Sequence, residues 1–278
     1  MSDPHEEAWG EAIGAVVGPR TAKPRRTGIT AVIDKGLGLH ATDDLIESAG
    51  SVVDQVKLGF GTSAAMEADF LRRKVARLVE AGIVVYPGGT MLEAAWLNGR
   101  MAACIERTHA LGFTGLEVSD GTVELPVEAR REAIRRGLDV GLVVVTEVGK
   151  KDPARQLSAA EMVDLLHADL EDGASLVTIE ARESGRGTGI FDMSGNVVTD
   201  LLDGLVGSIR DLDRVLWEAP QQAQQAHLIR RFGPNVNLAN ISTMEVLALE
   251  ALRRGLRFET LRAAIQRDRG GAPAPSGS

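Results

Sequence analysis

Eight short runs rich in Val, Ile and Leu recur along the chain, each followed by a longer run with helical spacing of apolar residues, and this alternation excludes most folds. The predicted strands cover 29–34, 53–58, 83–86, 115–119, 141–147, 176–182, 214–218 and 235–238. They are nearly continuously apolar, as strands of a parallel sheet covered on its outer face must be. Helical spacing fills 41–49, 65–81, 92–111, 127–136, 159–172, 197–209, 221–232 and 243–254. Ser158 stands before Glu161 at the separation of a capping box, and Gly82, Gly112, Gly137, Gly173 and Gly233 follow helical runs as C-terminal punctuation. Repeated strand–helix units with no Gly-x-Gly-x-x-Gly after the first strand favour an α/β fold, a single-domain (β/α)8 TIM barrel, over a doubly wound nucleotide-binding sheet. The run 235–238 is the weakest strand; without it, an incomplete barrel or open sheet is the alternative.

Such barrels take about 250 residues, and 278 allow one with short ends. The expected division is a flexible lead-in over 1–20, the barrel over 21–268 and a disordered Gly/Ala/Pro/Ser tail over 269–278. No apolar run approaches the ~18–20 residues of a membrane span, and the acidic first residues do not read as a signal peptide. The lone Cys104 can form neither an internal disulfide nor a thiolate cage, which fits a reducing compartment, so the cytoplasm is the default. Acids outnumber bases 39 to 31, which argues against a protein that coats a polyanion. Neither nucleic acid nor membrane is an expected partner.

In a barrel, chemistry sits at the carboxyl ends of the strands. Each predicted strand carries polar residues there: Asp34-Lys35-Gly36, Lys57-Leu58-Gly59, Gly88-Gly89-Thr90, Glu117-Val118-Ser119-Asp120, Glu147-Val148-Gly149-Lys150-Lys151, Glu180-Ala181-Arg182, Glu218, and Asn237-Leu238-Ala239-Asn240. The carboxylates Asp34, Glu117, Glu147, Glu180 and Glu218 converge on one rim and cannot all ionise without a cation or basic partners. An oxygen-only donor set favours magnesium or manganese over zinc. Lys35, Lys57, Lys150, Lys151 and Arg182 beside a hard cation suit a small anionic substrate bearing phosphate or carboxylate. Taken singly, each carboxylate could be a helix cap or ion-pair partner, and Gly88-Gly89 could be a plain tight turn. Arg130-Arg131 and Arg253-Arg254 read as solvated helix faces or an oligomer contact.

With Lys23-Pro24-Arg25, Tyr86-Pro87-Gly88-Gly89-Thr90, Glu180-Ala181-Arg182-Glu183-Ser184-Gly185 and Asn235-Val236-Asn237-Leu238-Ala239-Asn240-Ile241 added to these segments, the chain resembles the phosphosulfolactate synthase family, in order, over roughly 23–261. The resemblance implies a (β/α)8 barrel that adds sulfite to phosphoenolpyruvate, giving (2R)-phospho-3-sulfolactate, the first step of one route to coenzyme M, with magnesium as cofactor. In that setting Lys150 is the expected proton donor to carbon two, with Lys151 its neighbouring candidate and Lys57 a further catalytic cation. Glu117, Asp120, Glu147 and Glu180 supply the metal ligands. Lys35 and Arg182 hold anions, and Gly88, Gly89, Asn237 and Asn240 cradle phosphate. The chain departs from the family pattern after Glu218-Ala219-Pro220, where a lysine is usual and Gln221, Gln222, Gln224 and Gln225 stand instead. Other readings are a related barrel using a different nucleophile and a non-catalytic stress-associated member of the family. Self-association into a homo-oligomer is expected.

Overall fold

The computed structural model describes residues 9–271. Its strands are β1 (Thr30–Asp34), β2 (Gln55–Leu58), β3 (Val84–Pro87), β4 (Gly115–Val118), β5 (Val143–Val148), β6 (Leu176–Ile179), β7 (Val215–Glu218) and β8 (Leu238–Ser242). The helices are α1 (Gly10–Ile13), α2 (Leu39–Ala49), α3 (Ala68–Glu80), α4 (Thr90–Leu97), α5 (Met101–Ala110), α6 (Val127–Asp139), α7 (Ala159–Glu171), α8 (Thr199–Ser208), α9 (Gln222–Phe232), α10 (Val246–Arg253) and α11 (Phe258–Gly271). All ladders are parallel and run in the order β3-β2-β1-β8-β7-β6-β5-β4. The remaining seam, β3 to β4, is bridged just before β4 begins. There Thr114 N donates to Val85 O at 3.2 Å, and Val85 N donates to the Thr114 hydroxyl at 3.1 Å. Gly115 keeps the seam close, because a Cβ there would lie 3.0–3.2 Å from the side chains of Val84 and Tyr86. The chain is a (β/α)8 barrel.

The site's position follows from strand periodicity. Ile29, Ala31, Val145, Leu176, Leu216 and Ala239 form a separate apolar cluster. Two residues further along the same strands, on the same face, stand Glu147 and Glu218. Outside the strands, a larger cluster runs from Val32, Val56 and Val85 to Leu166, Leu205, Leu228 and Leu249, joining strands to helices. The barrel is therefore apolar between its layers and polar in its mouth.

Several boundaries differ from expectation, each for a local reason. The eighth strand starts at Leu238, where the predicted run ended. Residues 235–237 lie below it: the Asn235 carboxamide accepts from Thr21 N and Arg20, and that of Asn237 accepts from Ile29 N. The helical run 92–111 breaks into α4 and α5 at Gly99, which has φ 65°. The run 65–81 becomes a 3-10 turn, Thr62–Ala65, and then α3, separated by the extended Met66. The capping box at α7 forms as expected, with Ser158 N donating to Glu161 Oε2 at 2.8 Å. α11 has no counterpart among the predicted helices and runs to Gly271; the tail residues 272–278 lie outside the described residues.

Two arginines expected on solvated faces are buried. Arg130 on α6 pairs with Asp169 of α7 at 2.6 Å and Asp120 at 3.2 Å, and donates to Glu147 O at 2.9 Å. Arg253 donates to the carbonyls of Pro234, Val236 and Ile29, and burial pulls its pKa down to about 9. No helix among the described residues is long and apolar enough to cross a membrane.

Candidate active site at the barrel mouth

A cavity of about 210 Å³ opens at the carboxyl end of the barrel, floored by Lys57, Glu117, Glu147 and Glu218 and walled by Gly88, Gly89, Thr90, Lys151, Glu180, Arg182 and Asn240. Lys57 rises from β2 into the centre. Its Nζ lies 3.1 Å from Glu117 Oε1, 3.1 Å from Glu218 Oε1 and 3.4 Å from Glu147 Oε2. Burial opposes its charge, but the Glu117, Glu218 and Glu147 carboxylates outweigh that and hold its pKa well above the ordinary lysine value. Lys151 stands higher, 3.5 Å from Glu147 Oε1 and 3.8 Å from Glu180 Oε2. Its pKa is also raised: burial works against its charge, and Glu147 and Glu180 prevail.

The carboxylates differ among themselves. Burial pushes Glu117 up to about 7 against the pull of Lys57. Glu147 is buried too, yet Lys57 and Lys151 draw it down to about 2. Burial, followed by the charges of Glu147 and Glu218, holds Glu180 well above the carboxylate range. Glu218 is fixed at both oxygens, since Oε2 accepts from Ala181 N at 2.8 Å. Glu117 Oε2 accepts from Gly89 N at 2.6 Å, which locks the turn into α4 against β4. A Cβ on Gly89 would fall 2.2 Å from Ser119 Oγ, so only glycine fits there.

One oxygen-donor cluster emerges among the described residues. Single carboxylate oxygens of Glu147, Glu180 and Glu218 lie within 4.8 Å of one another. Among the described residues, Glu147 Oε1 and Glu180 Oε2 are buried with no hydrogen-bond partner and only the longer contacts to Lys151, and the carboxamide oxygen of Asn240 also lacks one. Four carboxyl groups stand against two lysines, and the raised pKa values of Glu180 and Glu117 reflect the cost of ionising them all in this buried setting. A cluster of oxygen donors short of hydrogen bonds fits a hard divalent cation such as magnesium.

The expected site residues divide accordingly. Glu117, Glu147, Glu180, Lys57, Lys151, Arg182, Gly88, Gly89 and Asn240 meet at the mouth. Arg182 is exposed at φ 60°, its backbone N–H donates to Glu180 Oε1 at 2.6 Å, and its guanidinium has no acceptor among the described residues. Asp120 does not join the carboxylate cluster: it is taken by Arg130 and by Lys150, whose Nζ lies 2.7 Å from Oδ2 and 2.8 Å from the Asp120 carbonyl. Lys150 is thereby tied behind the mouth and Lys151 takes the place expected of it. Asn237 lies at the opposite end of the strand, donating to Asp213 O and Val215 O, and cannot cradle a ligand. Asp34 turns to Lys74 and to its own Gly36 and Leu37 amides. Lys35 sits on the rim, 5.2 Å over the Phe60 ring.

Glu218 belonged to the strand-end carboxylates but not to the expected ligands; its strand parity with Leu216 was the available signal. Glu93, one turn after Gly88-Gly89-Thr90 in the sequence, was given no role. It is buried in the first turn of α4 and accepts from Ser119 Oγ at 2.6 Å. The larger cavity, about 620 Å³, lies at the other end of the barrel among Lys23, Arg25 and Arg214. Those cations are spent on structure: Lys23 Nζ donates to the Gly50, Val53 and Ala81 carbonyls, and Arg214 to those of Ser175 and Ala174. Ligand chemistry thus concentrates at the mouth.

Fold and mouth together define a (β/α)8 barrel with a buried carboxylate–lysine centre at the carboxyl end of its strands, where enzymes of this fold carry their active sites. Solved structures agree on the fold. The 3-hexulose-6-phosphate synthase of Salmonella typhimurium aligns with TM-score 0.54 at 13% identity, over 86% of this chain and 99% of that one. The YdjI aldolase of Escherichia coli K12 aligns with TM-score 0.51 at 14% identity, over 91% and 94%. The chain belongs to the (2R)-phospho-3-sulfolactate synthase (ComA) family, whose model matches residues 18–259. It is 44% identical to the phosphosulfolactate synthase of Methanothermobacter thermautotrophicus over 87% of this chain and 95% of the relative. It is 37% identical to that of Bacillus subtilis over 87% and 95%. The Arabidopsis thaliana protein HEAT-STRESS-ASSOCIATED 32 is 24% identical over 84% and 88%.

Proposed function

We propose that this chain is a carbon–sulfur bond-forming lyase that adds sulfite to phosphoenolpyruvate to give (2R)-phospho-3-sulfolactate. The observation that carries the reading is the set of buried Glu147 and Glu180 carboxyl groups, short of hydrogen bonds and facing Lys57 and Lys151 in the mouth of a barrel of this family. Glu147, Glu180 and Glu218, whose oxygens lie together, would hold magnesium. Bound there, the ion would act as a Lewis acid toward charge developing on the substrate carboxylate and relieve the repulsion among the acids.

Arg182, whose guanidinium meets no acceptor among the described residues, suits an anionic group of phosphoenolpyruvate; the Gly88 and Gly89 amides are spent on Leu58 O and Glu117, which leaves Thr90, at the start of α4, to face another. The sulfite lone pair forms the new bond at the methylene carbon, and the C=C π pair shifts toward the carboxylate. Carbon two then takes a proton. Lys151 is the donor this geometry favours, since it lines the cavity while Lys150 is engaged by Asp120. Proton delivery from one side of the mouth accounts for a single configuration at carbon two, and solvent restores the lysine.

The test is direct: purified protein with phosphoenolpyruvate, sulfite and magnesium, the products followed by mass. Phosphosulfolactate is expected, and chelation should abolish it. No product above the enzyme-free control would overturn the reading.

A further inference from the structure

Between β6 and α8 the chain makes a folded flap over 180–198. Thr188 and Phe191, and Phe191 and Val197, pair as isolated antiparallel bridges, Val198 N donates to Ile190 O at 2.8 Å, and Ile190 and Phe191 are buried. The flap carries Arg182 at its start and is fastened to the N-terminus of α9. Gln224, 1% exposed, donates through Nε2 to Gly185 O at 2.7 Å and Gly195 O at 3.0 Å. Its Oε1 accepts from Gln221 N at 3.1 Å, and Gln221 Nε2 donates to Ser184 O at 2.7 Å. The fit is close on both sides. A Cβ on Gly185 would lie 2.5 Å from Gln224 Oε1, and one on Gly195 2.9 Å from Gln221 Nε2.

The chemistry of the clamp requires a carboxamide. Gln224 spends two N–H donors on the two ends of the flap and its one oxygen on the helix cap, so each polar atom is used. An ammonium could reach the carbonyls but could not accept from Gln221 N, and an apolar side chain could do neither. The clamped residues Ser184 and Gly185 follow Arg182 closely. Arg182 itself is held in the left-handed region with its N–H on Glu180, so its guanidinium direction depends on where the following residues are fixed.

We propose that Gln224 and Gln221 are positioning residues for substrate binding: by pinning the flap to α9 they hold the Arg182 guanidinium toward the anionic substrate. The proposal rests on the reading that Arg182 holds an anionic group of phosphoenolpyruvate. Neither glutamine touches the reacting atoms. They act on the ground-state hold, so their loss belongs in KM and binding rather than in kcat.

The experiment uses the full chain with magnesium. Variants are Gln224→Leu, Arg182→Ala and the double, with half-buried Gln221→Ala as the variant that keeps the fold if Gln224→Leu does not. Phosphoenolpyruvate binding is measured by calorimetry, kinetics are followed with sulfite, and tryptic cleavage after Arg182 and Arg186 reports release of the flap. Gln224→Leu, or Gln221→Ala in its place, should weaken phosphoenolpyruvate binding and raise KM by about tenfold, as for loss of one charge-assisted contact, with kcat within about twofold. Tryptic cleavage at the flap should quicken. In the Arg182→Ala background the same substitution should weaken binding no further. Additive losses, or a loosened flap with unchanged binding, would overturn the proposal. Unchanged binding in Arg182→Ala would also overturn it, by removing its premise. Should wild type bind phosphoenolpyruvate yet fail to turn over with sulfite, the proposed reaction falls, and the calorimetric cycle still decides the clamp.

Discussion

Lys150 and Lys151 are neighbours with opposite duties. Both lie beyond the end of β5, where Lys151 comes over Glu147, 3.5 Å from its Oε1, while Lys150 turns to Asp120. Gly149 sharpens the division: at φ 129° it turns the chain, and a Cβ there would be 2.8 Å from Glu180 Cβ. That a lysine follows β5 at the mouth was readable in the sequence; which of the two enters it was not, since that depends on the turn at Gly149 and on Asp120, held by Arg130 from α6, capturing Lys150. Lys151→Met should therefore lower kcat by roughly a hundredfold or more, the worth of a positioned general acid, while phosphoenolpyruvate binding persists. Lys150→Met should lower kcat far less and show mainly as lost thermal stability. Single-turnover kinetics beside melting curves distinguish the two, and equal kcat losses would return the proton to Lys150.

At the scale of elements, α6 does more than cover β4 and β5. Arg130 reaches from it to Asp169 on α7, to Asp120 after β4 and to the carbonyl of Glu147 at the end of β5, so one guanidinium sets three elements behind the mouth. Arg130→Met leaves Asp169 without that partner in a buried setting, where removing one member of such a pair costs about 3–5 kcal/mol. Denaturant unfolding should show that loss, and Asp169→Asn combined with Arg130→Met should recover part of it. The strand–helix alternation and the polar strand ends were legible from residue types because they rest on local period and burial. Arg130 was not: its arginine pair looks like any exposed helix face until the neighbouring helix supplies Asp169. Asn237 misled for a related reason. An asparagine near the end of a short apolar run has the same appearance at either end of the barrel, and only the position of β8, set by Asn235 and Asn237 bonding below it, tells which.

Across the whole molecule, the two ends of the barrel carry charge in opposite ways. The mouth crowds four carboxyl groups together with oxygens short of hydrogen bonds, and magnesium should relieve this. At a concentration of about 100 Kd, a ligand that binds only the folded state adds about 2.7 kcal/mol, so Tm should rise with magnesium, and the rise should vanish in Glu180→Gln. The opposite end instead pairs its charges. Glu250 on α10 lies 3.1 Å from Arg20, which also bonds Asn235 and so ties the segment before β1 to the barrel floor. Burial works against the Glu250 charge, but Arg20 outweighs it and its pKa falls below the carboxylate value. With the folded value depressed, the unfolded chain binds the proton more tightly, so this contribution is fully present above the unfolded carboxylate pKa of about 4.3. It is lost as pH falls through the lower folded value. Glu250→Gln should accordingly cost stability at pH 7 and progressively less as acid is added, until the two unfolding curves converge. Urea titrations of both proteins across that range measure the convergence, and a gap that stays constant with pH would show that the pair contributes through packing rather than charge.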